Sequence, residues 1–553
     1  MIRLIKNPYP VTRSKPISVQ WTGKKQPRPV NNISAQLTEI FDLQRSVTQP
    51  THLSYSPLQK EWHNLLFQGD NNEVLDLLLS HGFREKIDFI YIDPPFNSGS
   101  EYIRNIRLRG NAGASHTALL QQTAYHDTWD TPTYLQFMYE RLIKLKDLLK
   151  DTGFLCVHLD YHVGHYLKLV LDELFGQENF RNELIVKRVY KNLQGQFTEI
   201  KSLPQGHDVI YCYSKKQETR FKPVTVEKEH MTHPKGYWKE FWSGADRPTM
   251  RYPILGVTPT AGQWKWKKTR AQQAVDNYEE YQRDHASDNI SLCTFWTQTG
   301  CGKEFIRKSP SGRIEHWVPP SAHKFLDTVW SDIASYSFDH GFGTEKSEEL
   351  LERLLSAFSK PDDLVLDAFT GSGTTVRAAQ RLGRRWIACD VHPTAIQLTS
   401  RLLQQIIGEQ LRISTTMYPT FMTYRVNAQQ RSKKRNHARR APVEATITVE
   451  RNDKKTVCVK IDTFHSSTLL RSLGIGKKLL KEKIPDFRCM IDSVLIDPDY
   501  DGAVFHVTLA DAPSKKDTLV KGMYDISVPC LHNTIAVKII AVTGEETVMV
   551  KYV

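Results

Sequence analysis

The chain has 553 residues, of which 40% are hydrophobic and 24% charged, a composition that excludes a wholly disordered protein. Its net charge of +13 favours a polyanionic partner such as nucleic acid. The sequence has no apolar run of about 18 residues, so it predicts no membrane span. The eight scattered cysteines predict neither a zinc ribbon nor a disulfide framework. The first residues lack the apolar segment of a secretory signal, so we expect a reducing, cytoplasmic location.

The first third of the chain changes character near residue 60. Residues 1–60 are rich in Pro, Ser, Thr and Gln and predict an extended N-terminal arm, with one short helix near 35–43. In residues 61–186, apolar runs such as KIDFIYI and GFLCVHLD alternate with amphipathic helical patterns such as TYLQFMYERLIKLKDLLKD. This alternation predicts βαβ units and a doubly wound parallel sheet, in an α/β fold.

The alternation stops at about residue 187 and returns at about 336. Residues 187–335 hold seven of the 11 Trp residues, and residues 187–330 carry 23 basic against 15 acidic side chains. The α/β pattern then fills residues 336–425, so the sequence predicts one α/β domain split into two halves by a basic, Trp-rich insert.

The C-terminal part is predicted to be a separate β-rich domain. Residues 426–442 form a basic linker, in which 431–440 either contacts phosphates or is a solvated connection. Residues 443–553 show strand-like alternation broken by Gly, Asp and Pro turns, and hold 15 basic and 15 acidic residues. Because this domain is neutral, we expect it to contact protein or brace the fold rather than bind DNA.

One candidate for chemistry is the motif Asp93-Pro94-Pro95-Phe96, which follows the apolar run KIDFIYI. Ligands of open α/β sheets bind at the carboxyl ends of strands. The two prolines lack backbone donors and stiffen the turn, so the Asp carboxylate and nearby carbonyl oxygens could accept hydrogen bonds from an amino group. Phe96 could stack on a flat heterocycle. The alternative is a Pro-rich strand exit with a helix-capping Asp.

A second motif, DAFTGSGTT, runs from Asp367 to Thr375 at the end of a predicted strand. Its glycines would let the backbone approach a ligand closely, yet it matches neither the dinucleotide fingerprint nor a P-loop. Asp390 ends the next predicted strand, where an acidic residue suits two ribose hydroxyls. Together these residues predict a site for an adenosine-containing ligand without a pyrophosphate grip.

DPPF, then an insert, then FxGxG resembles the β-class of S-adenosylmethionine-dependent DNA amino-methyltransferases. In that family the catalytic motif precedes the cofactor motif, and the insert is the target recognition domain. Further segments match in the same order, among them GDNNEVLDLL, YHDTWD, HDVIYCYSK and TEKSEELLERLL, and residues 60–410 also resemble modification subunits of type III restriction systems. The resemblance implies a Rossmann-like methyltransferase sheet with circularly permuted motif order, an inserted recognition domain and a small C-terminal β domain.

The resemblance also implies roles for single residues. Asp93 and the Pro94 carbonyl, in the turn stiffened by Pro95, would accept hydrogen bonds from the exocyclic amino group, and Phe96 would stack on the extruded base. Asp390 would hold the ribose of S-adenosylmethionine. The other implied cofactor-binding residues are Asp70, Thr344, Glu345, Lys346, Asp367, Phe369, Gly371, Gly373 and Thr374. Ser347 stands where the family usually has Pro, which leaves that loop less defined.

In the insert, the segment GQWKWKKTR predicts contacts with DNA. We expect Lys265, Lys267 and Lys268 to bind phosphates, and Trp264 and Trp266 to stack on a base or wedge a base step. The alternative is that these tryptophans form the core of the insert, because Trp is usually mostly buried.

The predicted activity is methyl transfer from S-adenosylmethionine to adenine N6 in double-stranded DNA, with the base flipped out, in a restriction-modification or related defence system. One alternative is cytosine N4 methylation, whose enzymes more often have Ser where Asp93 stands. Another is a DNA-recognition subunit active only with a restriction partner. RNA methylation is disfavoured by the permuted order with a large insert. Candidate partners besides DNA are a restriction subunit and a second copy of the chain. We expect no association with a membrane.

Two further clusters carry weaker signals. His158, His162 and His165 lie near a predicted helix start and are interpreted as a solvated helix face, since no carboxylate or cysteine spacing supports a metal. Tyr211 and Tyr213 either clasp the flipped base, as the resemblance implies, or belong to a core strand. We expect no metal site.

Overall fold

The computed structural model describes residues 17–30, 33–43, 62–97, 101–106, 108–110, 120–126, 129–188, 203–228, 231–284, 290–337, 345–413, 418–428, 443–472, 486–513 and 517–553. The chain divides into two compact units. Unit 1 comprises Met1–Lys222 and Asp327–Val553, and unit 2 comprises Pro223–Leu326. Within the described part of the chain, no helix has both the length and the apolarity needed to span a membrane.

The elements that precede unit 2 alternate between strands and helices. They are β1 (Ile33–Phe41), β2 (Asn64–Gln68), α1 (Asn71–Ser80), β3 (Ile87–Ile92), β4 (Glu101–Ile106), β5 (Leu120–His126), α2 (Thr131–Leu148), β6 (Leu149–Leu159), α3 (Gly164–Phe175), β7 (Phe180–Lys187) and β8 (His207–Ser214). Unit 2 contains short strands and two helices: β9 (Thr225–Glu227), β10 (Tyr237–Glu240), β11 (Trp242–Ser243), β12 (Gln263–Trp264), α4 (Lys268–Asp284), α5 (Leu292–Gln298), β13 (Ile306–Lys308), β14 (Ile314–Val318) and β15 (His323–Phe325).

After unit 2 the α/β alternation resumes and then gives way to strands. The α/β elements are β16 (Val329–Ala334), α6 (Glu348–Phe358), β17 (Leu364–Asp367), α7 (Thr374–Arg381), β18 (Arg385–Asp390), α8 (Pro393–Ile413) and β19 (Phe421–Ala428). The C-terminal elements are β20 (Val443–Arg451), β21 (Thr456–Ser466), α9 (Ser467–Ser472), β22 (Ile491–Asp497), β23 (Phe505–Val507), β24 (Leu509–Asp511), β25 (Met523–Ser527), β26 (Thr534–Ala541) and β27 (Glu546–Tyr552).

Unit 1 is built around one large sheet with the strand order β16-β7-β8-β6-β3-β17-β18-β2-β19-β1-β23. The six central strands, from β6 to β19, are all parallel. Their apolar runs are buried on both faces, as expected for parallel strands covered by helices. The second half of the α/β chain supplies β17 and β18, which lie between β3 and β2 of the first half. The prediction of a split α/β domain is therefore confirmed.

The sheet order places a switch point between β3 and β17. From β3 the chain moves through α2 to β6 on one side, and from β17 it moves through α7 to β18 on the other side. In open α/β sheets, ligands bind in the crevice at such a point, outside the carboxyl ends of the strands. Asp367, the last residue of β17, pairs in register with Tyr91 of β3. Both sequence motifs therefore leave the sheet at the same edge.

Two predictions about the ends of the chain need correction. The helix expected near 35–43 is strand β1, which pairs antiparallel with β19 and parallel with β23. Its sequence ISAQLTEIF alternates with period two, and neighbours from the far end of the chain supply its hydrogen bonds. The C-terminal part is β-rich as predicted, with its own core, but it clusters with unit 1 and its strand β23 completes the large sheet. The linker residues 429–442 lie outside the described residues.

The compact unit in the middle of the chain is narrower than the predicted insert of 187–335. Strands β8 and β16 belong to the large sheet, and only Pro223–Leu326 forms a unit of its own. The C-terminal boundary could not be read from the sequence because β16 pairs with β7, which lies on the other side of unit 2 in the chain. Unit 2 has two small aromatic and aliphatic cores, which helices α4 and α5 cover.

Candidate active site

A cavity of about 360 Å³ opens at the carboxyl ends of β3, β17 and β18. Carboxylates, cations, aromatic rings and the backbone of the glycine loop form its wall. The predicted site residues on this wall are Asp70, Asp93, Pro95, Lys346, Asp367, Phe369, Gly371, Thr374 and Asp390. The predicted catalytic and cofactor motifs therefore meet in one cavity.

Asp93, directly after β3, presents two different carboxylate oxygens. Its Oδ2 accepts a hydrogen bond from Lys346 Nζ at 2.5 Å. Its Oδ1 is buried and has no hydrogen-bond partner among the described residues. The side chain is 20% exposed and lines the cavity. A buried acceptor without a partner is unfavourable, so Asp93 keeps one unused acceptor oxygen beside the cavity that its side chain lines.

Four predicted residues do not line the cavity. Pro94 and Phe96 are buried, and the Phe96 ring lies 6.1 Å from the His158 ring, centroid to centroid. Glu345 is buried in an ion pair with Arg377, at 2.9 Å from NH2 to Oε1, so its contacts are those of a structural residue. Gly373 is discussed below, and Thr344 lies outside the described residues.

The loop after β17 is shaped by hydrogen bonds between its backbone and two carboxylates. Asp367 Oδ1 accepts from the Phe369 amide at 2.9 Å, and Asp390 Oδ2 accepts from the Gly371 amide at 2.9 Å. Gly373 begins α7 with φ +79°, and a Cβ there would lie 2.6 Å from Thr399. Its glycine is therefore required by a left-handed conformation and by close packing on α8, rather than by contact with a ligand.

The acidic groups around this cavity shift one another's protonation. Burial raises the pKa of Asp367 to about 7, and the nearby Asp93 and Asp390 carboxylates add to the increase. Burial also raises the pKa of Asp390, although amide donors from His392 and Gly371 oppose the shift. A cavity with several carboxylates favours a ligand that carries positive charge.

Residues that the sequence analysis did not identify complete one wall. Asp70 caps α1 and pairs with Arg141 NH2 at 3.0 Å. The Arg141 guanidinium stacks on the Phe137 ring at 3.5 Å, and Phe137 contacts Phe369 and Trp129. Arg141 and Phe137 sit on the predicted amphipathic helix α2, where their spacing of four residues places them on one face. That spacing was visible in the sequence, but their orientation towards the cavity was not.

A buried polar network lies beside the turn of Asp93. The Tyr91 hydroxyl and His158 Nδ1 are 2.8 Å apart, and His158 Nε2 lies 3.4 Å from Asp208 Oδ2. The Ser335 hydroxyl donates to Asp208 Oδ2 at 3.2 Å. Burial opposes the effect, yet the hydrogen bond and charge of His158 hold the pKa of Asp208 below its usual value. The prediction that His158 lies on a solvated helix face is wrong, because β8 and the residues after β16 cover it.

Tyr211 and Tyr213 both lie in the buried strand β8. The Tyr213 hydroxyl donates to Asp172 at 2.7 Å, and burial raises the pKa of Tyr211 to about 12. Both side chains belong to the core of unit 1. The core-strand interpretation therefore describes their positions.

In unit 2, the tryptophans of GQWKWKKTR differ in environment. Trp264 is only 3% exposed, stacks on Phe241, and donates its indole N–H to the Tyr252 carbonyl at 2.7 Å. Its prediction as a DNA contact is corrected, because a ring buried in the core of unit 2 cannot stack on a base. Trp266 is half-buried beneath the Arg270 guanidinium at 4.4 Å.

The three lysines of this segment are also unequal. Lys265 is half-buried and donates to the Glu240 carbonyl at 2.5 Å. Lys267 and Lys268 are exposed at the start of α4. Their role as DNA contacts stays a prediction.

Comparison with known proteins gives a family and several relatives. A family model described as DNA methylase, of the N6/N4 type, matches residues 87–401, which is more than half of the chain. The type II methyltransferase M.EcaI of Enterobacter cloacae is 28% identical over 340 residues, covering 59% of this chain and 66% of the relative. The StyLTI Mod subunit of a Salmonella typhimurium type III restriction-modification enzyme is 27% identical over 376 residues, covering 60% of this chain and 53% of the relative.

A structural relative is a DNA modification methylase from Thermus thermophilus complexed with S-adenosyl-L-methionine. It is 15% identical, with a TM-score of 0.32, and the match covers 66% of this chain and 100% of the other. The chain spans between about half and two thirds of the length of the two curated relatives named above.

Proposed function

The chain belongs to the N6/N4 DNA methylase family, and on that premise we propose that it transfers a methyl group from S-adenosylmethionine to the exocyclic N6 of adenine in double-stranded DNA. The observation that carries the proposal is Asp93 Oδ1, a buried acceptor without a described partner in the cavity that also holds the glycine loop. An exocyclic amino group is the donor that this oxygen lacks.

The residues on the cavity wall fit S-adenosylmethionine. The cofactor carries a sulfonium and an ammonium group, which suit a cavity lined by Asp70, Asp93, Asp367 and Asp390. Asp390 uses each carboxylate oxygen for one backbone amide, which leaves further lone pairs for ribose hydroxyls. When bound, the cofactor supplies an electrophilic methyl group.

The adenine ring of the cofactor needs an apolar wall. Phe369 and Phe137 pack edge to face at 6.2 Å and both line the cavity. Asp70, held by Arg141, lies on the same wall and is placed to accept a hydrogen bond from an amino group. These residues support the cofactor-binding roles implied for Asp70 and Phe369.

The chain itself contributes to catalysis by accepting hydrogen bonds from the target amino group and by positioning that group. The target nitrogen is conjugated with its ring and is a poor nucleophile. Asp93 Oδ1 accepts a hydrogen bond from the amino group and stabilises the positive charge that develops on nitrogen. The rigid Asp-Pro-Pro turn would present the Pro94 carbonyl as a second acceptor, and the stacking of Phe96 on the extruded base stays a prediction. Most of the rate enhancement then comes from orientation.

The presence of Asp at position 93 favours adenine N6 as the target over cytosine N4. Enzymes that methylate cytosine N4 more often have Ser at this position. Similarity to a type III Mod subunit supports a role in restriction-modification, with a restriction subunit or a second copy of the chain as a protein partner. In this proposal unit 2 recognises the DNA site, and the neutral C-terminal part contacts protein or braces the α/β part of unit 1.

The proposal is tested by methylation-sensitive long-read sequencing of DNA from cells that express the chain. We expect N6-methyladenine at one recurring site, absent from cells that express Asp93→Ala. N4-methylcytosine at the site would show the alternative chemistry. Purified chain incubated with that DNA and labelled cofactor, without other proteins, separates an autonomous enzyme from a subunit that requires a partner.

A further inference from the structure

Lys346 is placed against the catalytic carboxylate rather than towards open solvent. Its ammonium lies 2.5 Å from Asp93 Oδ2, and its side chain is 5% exposed. Two aromatic rings flank it, with centroids at 5.0 Å for Phe96 and 4.6 Å for Tyr336. The ammonium is thus held between one carboxylate oxygen and two ring faces, an arrangement that a desolvated cation favours.

The backbone around Lys346 is fixed by the segment that follows β16. Tyr336 and Lys346 form an antiparallel bridge, and the Ser347 amide donates to the Ser335 carbonyl at 3.1 Å. The Ser335 hydroxyl in turn donates to the buried Asp208. The lysine is therefore delivered to Asp93 by a segment anchored in the polar network beside the catalytic turn.

We infer that Lys346 is a positioning residue, which occupies Asp93 Oδ2 and so leaves Oδ1 as the acceptor for the target amino group. The inference rests on the proposed function and goes beyond the cofactor contact implied for this lysine. Burial and the nearby Asp93 carboxylate both raise the pKa of Asp367 of β17, of Tyr91 of β3 and of Tyr336 after β16. Lys346 is the cation in direct contact with it among the described residues.

The contact with this lysine restricts the acceptor. The ammonium on Oδ2 limits rotation of the Asp93 carboxylate, so the amino group meets one defined acceptor. A fixed acceptor is what catalysis by orientation requires.

The test compares Lys346→Met and Lys346→Arg with a matched control, Lys144→Met. Lys144 pairs with Asp76 at 2.6 Å, and their side chains are 5% and 8% exposed, so the control also breaks a buried Lys–Asp pair of unit 1. Neither control residue lines the cavity. Purified variants are assayed for kcat and KM on an unmethylated duplex that carries the recognised site, and for affinity towards S-adenosylmethionine by calorimetry.

For Lys346→Met we expect kcat to fall about 100-fold through loss of orientation. KM for the duplex and cofactor affinity should stay close to those of the wild type, because the lysine orients the acceptor rather than binding a ligand. Lys346→Arg should restore much of kcat, since it returns a cation to Asp93 Oδ2, and Lys144→Met should keep both kcat and KM.

Three results would overturn the inference. An unchanged kcat in Lys346→Met would show that the lysine does not position Asp93. A faster reaction would show that Lys346 blocks the site, and a loss confined to cofactor affinity would make it a cofactor contact only. If the wild-type chain methylates no DNA, the proposed function is refuted instead.

A measurement independent of activity tests the contact between Lys346 and Asp93 even if the chain does not methylate DNA. Thermal unfolding of Lys346→Met, Asp93→Asn and the double variant forms a mutant cycle. We expect the two single variants together to lower the melting temperature by more than the double variant does, because either substitution alone leaves a buried partner unpaired. Additive shifts would refute the contact itself, whatever the enzyme does.

Discussion

Asp367→Asn tests the electrostatic description of the cavity most directly. Asp367 is 2% exposed at the end of β17, and burial together with Asp93 and Asp390 raises the pKa of its carboxyl to about 7. Asparagine has nearly the same shape and retains an oxygen that can accept from the Phe369 amide. The substitution therefore removes the ionisation of one group while keeping its hydrogen bond with the Phe369 amide.

The sign of the effect follows from the raised pKa. Between the ordinary value of 3.8 and about 7, the folded chain binds a proton that the unfolded chain has released. The stabilising contribution of the protonated form is fully present below the lower value and is lost as pH rises through the upper one. A shift of about three pKa units corresponds to about 4 kcal/mol of unfolding free energy, at about 1.4 kcal/mol per unit. Of this, about 2–3 kcal/mol falls between about pH 5 and about pH 8.

The assay is chemical denaturation of the wild type and Asp367→Asn at about pH 5 and about pH 8. The unfolding of unit 1, which contains Asp367, is followed. The stability of the variant relative to wild type should increase by about 2–3 kcal/mol between the two conditions. Asp517→Asn, on the exposed surface, serves as the control and should show no such change. A pH-independent difference between Asp367→Asn and wild type would refute a pKa near 7. A variant that becomes relatively less stable at high pH would show that Asp367 is ionised and paired.

Four further substitutions test the site and unit 2. Asp93→Ala should abolish methyl transfer while calorimetry finds cofactor binding retained, because the residue serves the target base; loss of binding would mean that the two sites are misplaced. Asp390→Ala should weaken cofactor affinity by about 1.5–3 kcal/mol, as expected for a charge-assisted hydrogen bond, and unchanged affinity would remove Asp390 from the cofactor site. Replacing Lys267 and Lys268 with Gln should lower the salt dependence of DNA binding by about 0.9 per lost phosphate contact, whereas an identical slope would exclude both from the DNA backbone. Trp264→Ala should destabilise unit 2 by about 3–5 kcal/mol through the cavity that it leaves, and a variant that unfolds like wild type would contradict the core position.

Local sequence patterns determined most of the α/β domain. Apolar runs such as KIDFIYI, followed by Asp93 and its prolines, predict buried parallel strands because strand burial and strand ends are encoded by adjacent residues. The order of the two motifs, with a basic insert between them, likewise predicts a sheet assembled from two chain segments. The carboxyl ends of parallel strands share an edge, so the meeting of Asp93 with Asp367 and Asp390 in one cavity could be expected from the sequence.

Contacts between distant segments decided the rest. Lys346 reaches Asp93, and β8 and Ser335 enclose His158, only because the chain returns from unit 2 to the same sheet. Strand β1 exists because β19 pairs with it, and Trp264 is buried because Phe241 and Tyr252 surround it. The patterns that reveal helices and strands extend over a few neighbouring residues. Burial, ion pairing and the edges of the sheet depend on which remote residues arrive at the same place, and this is settled only when the whole chain is packed.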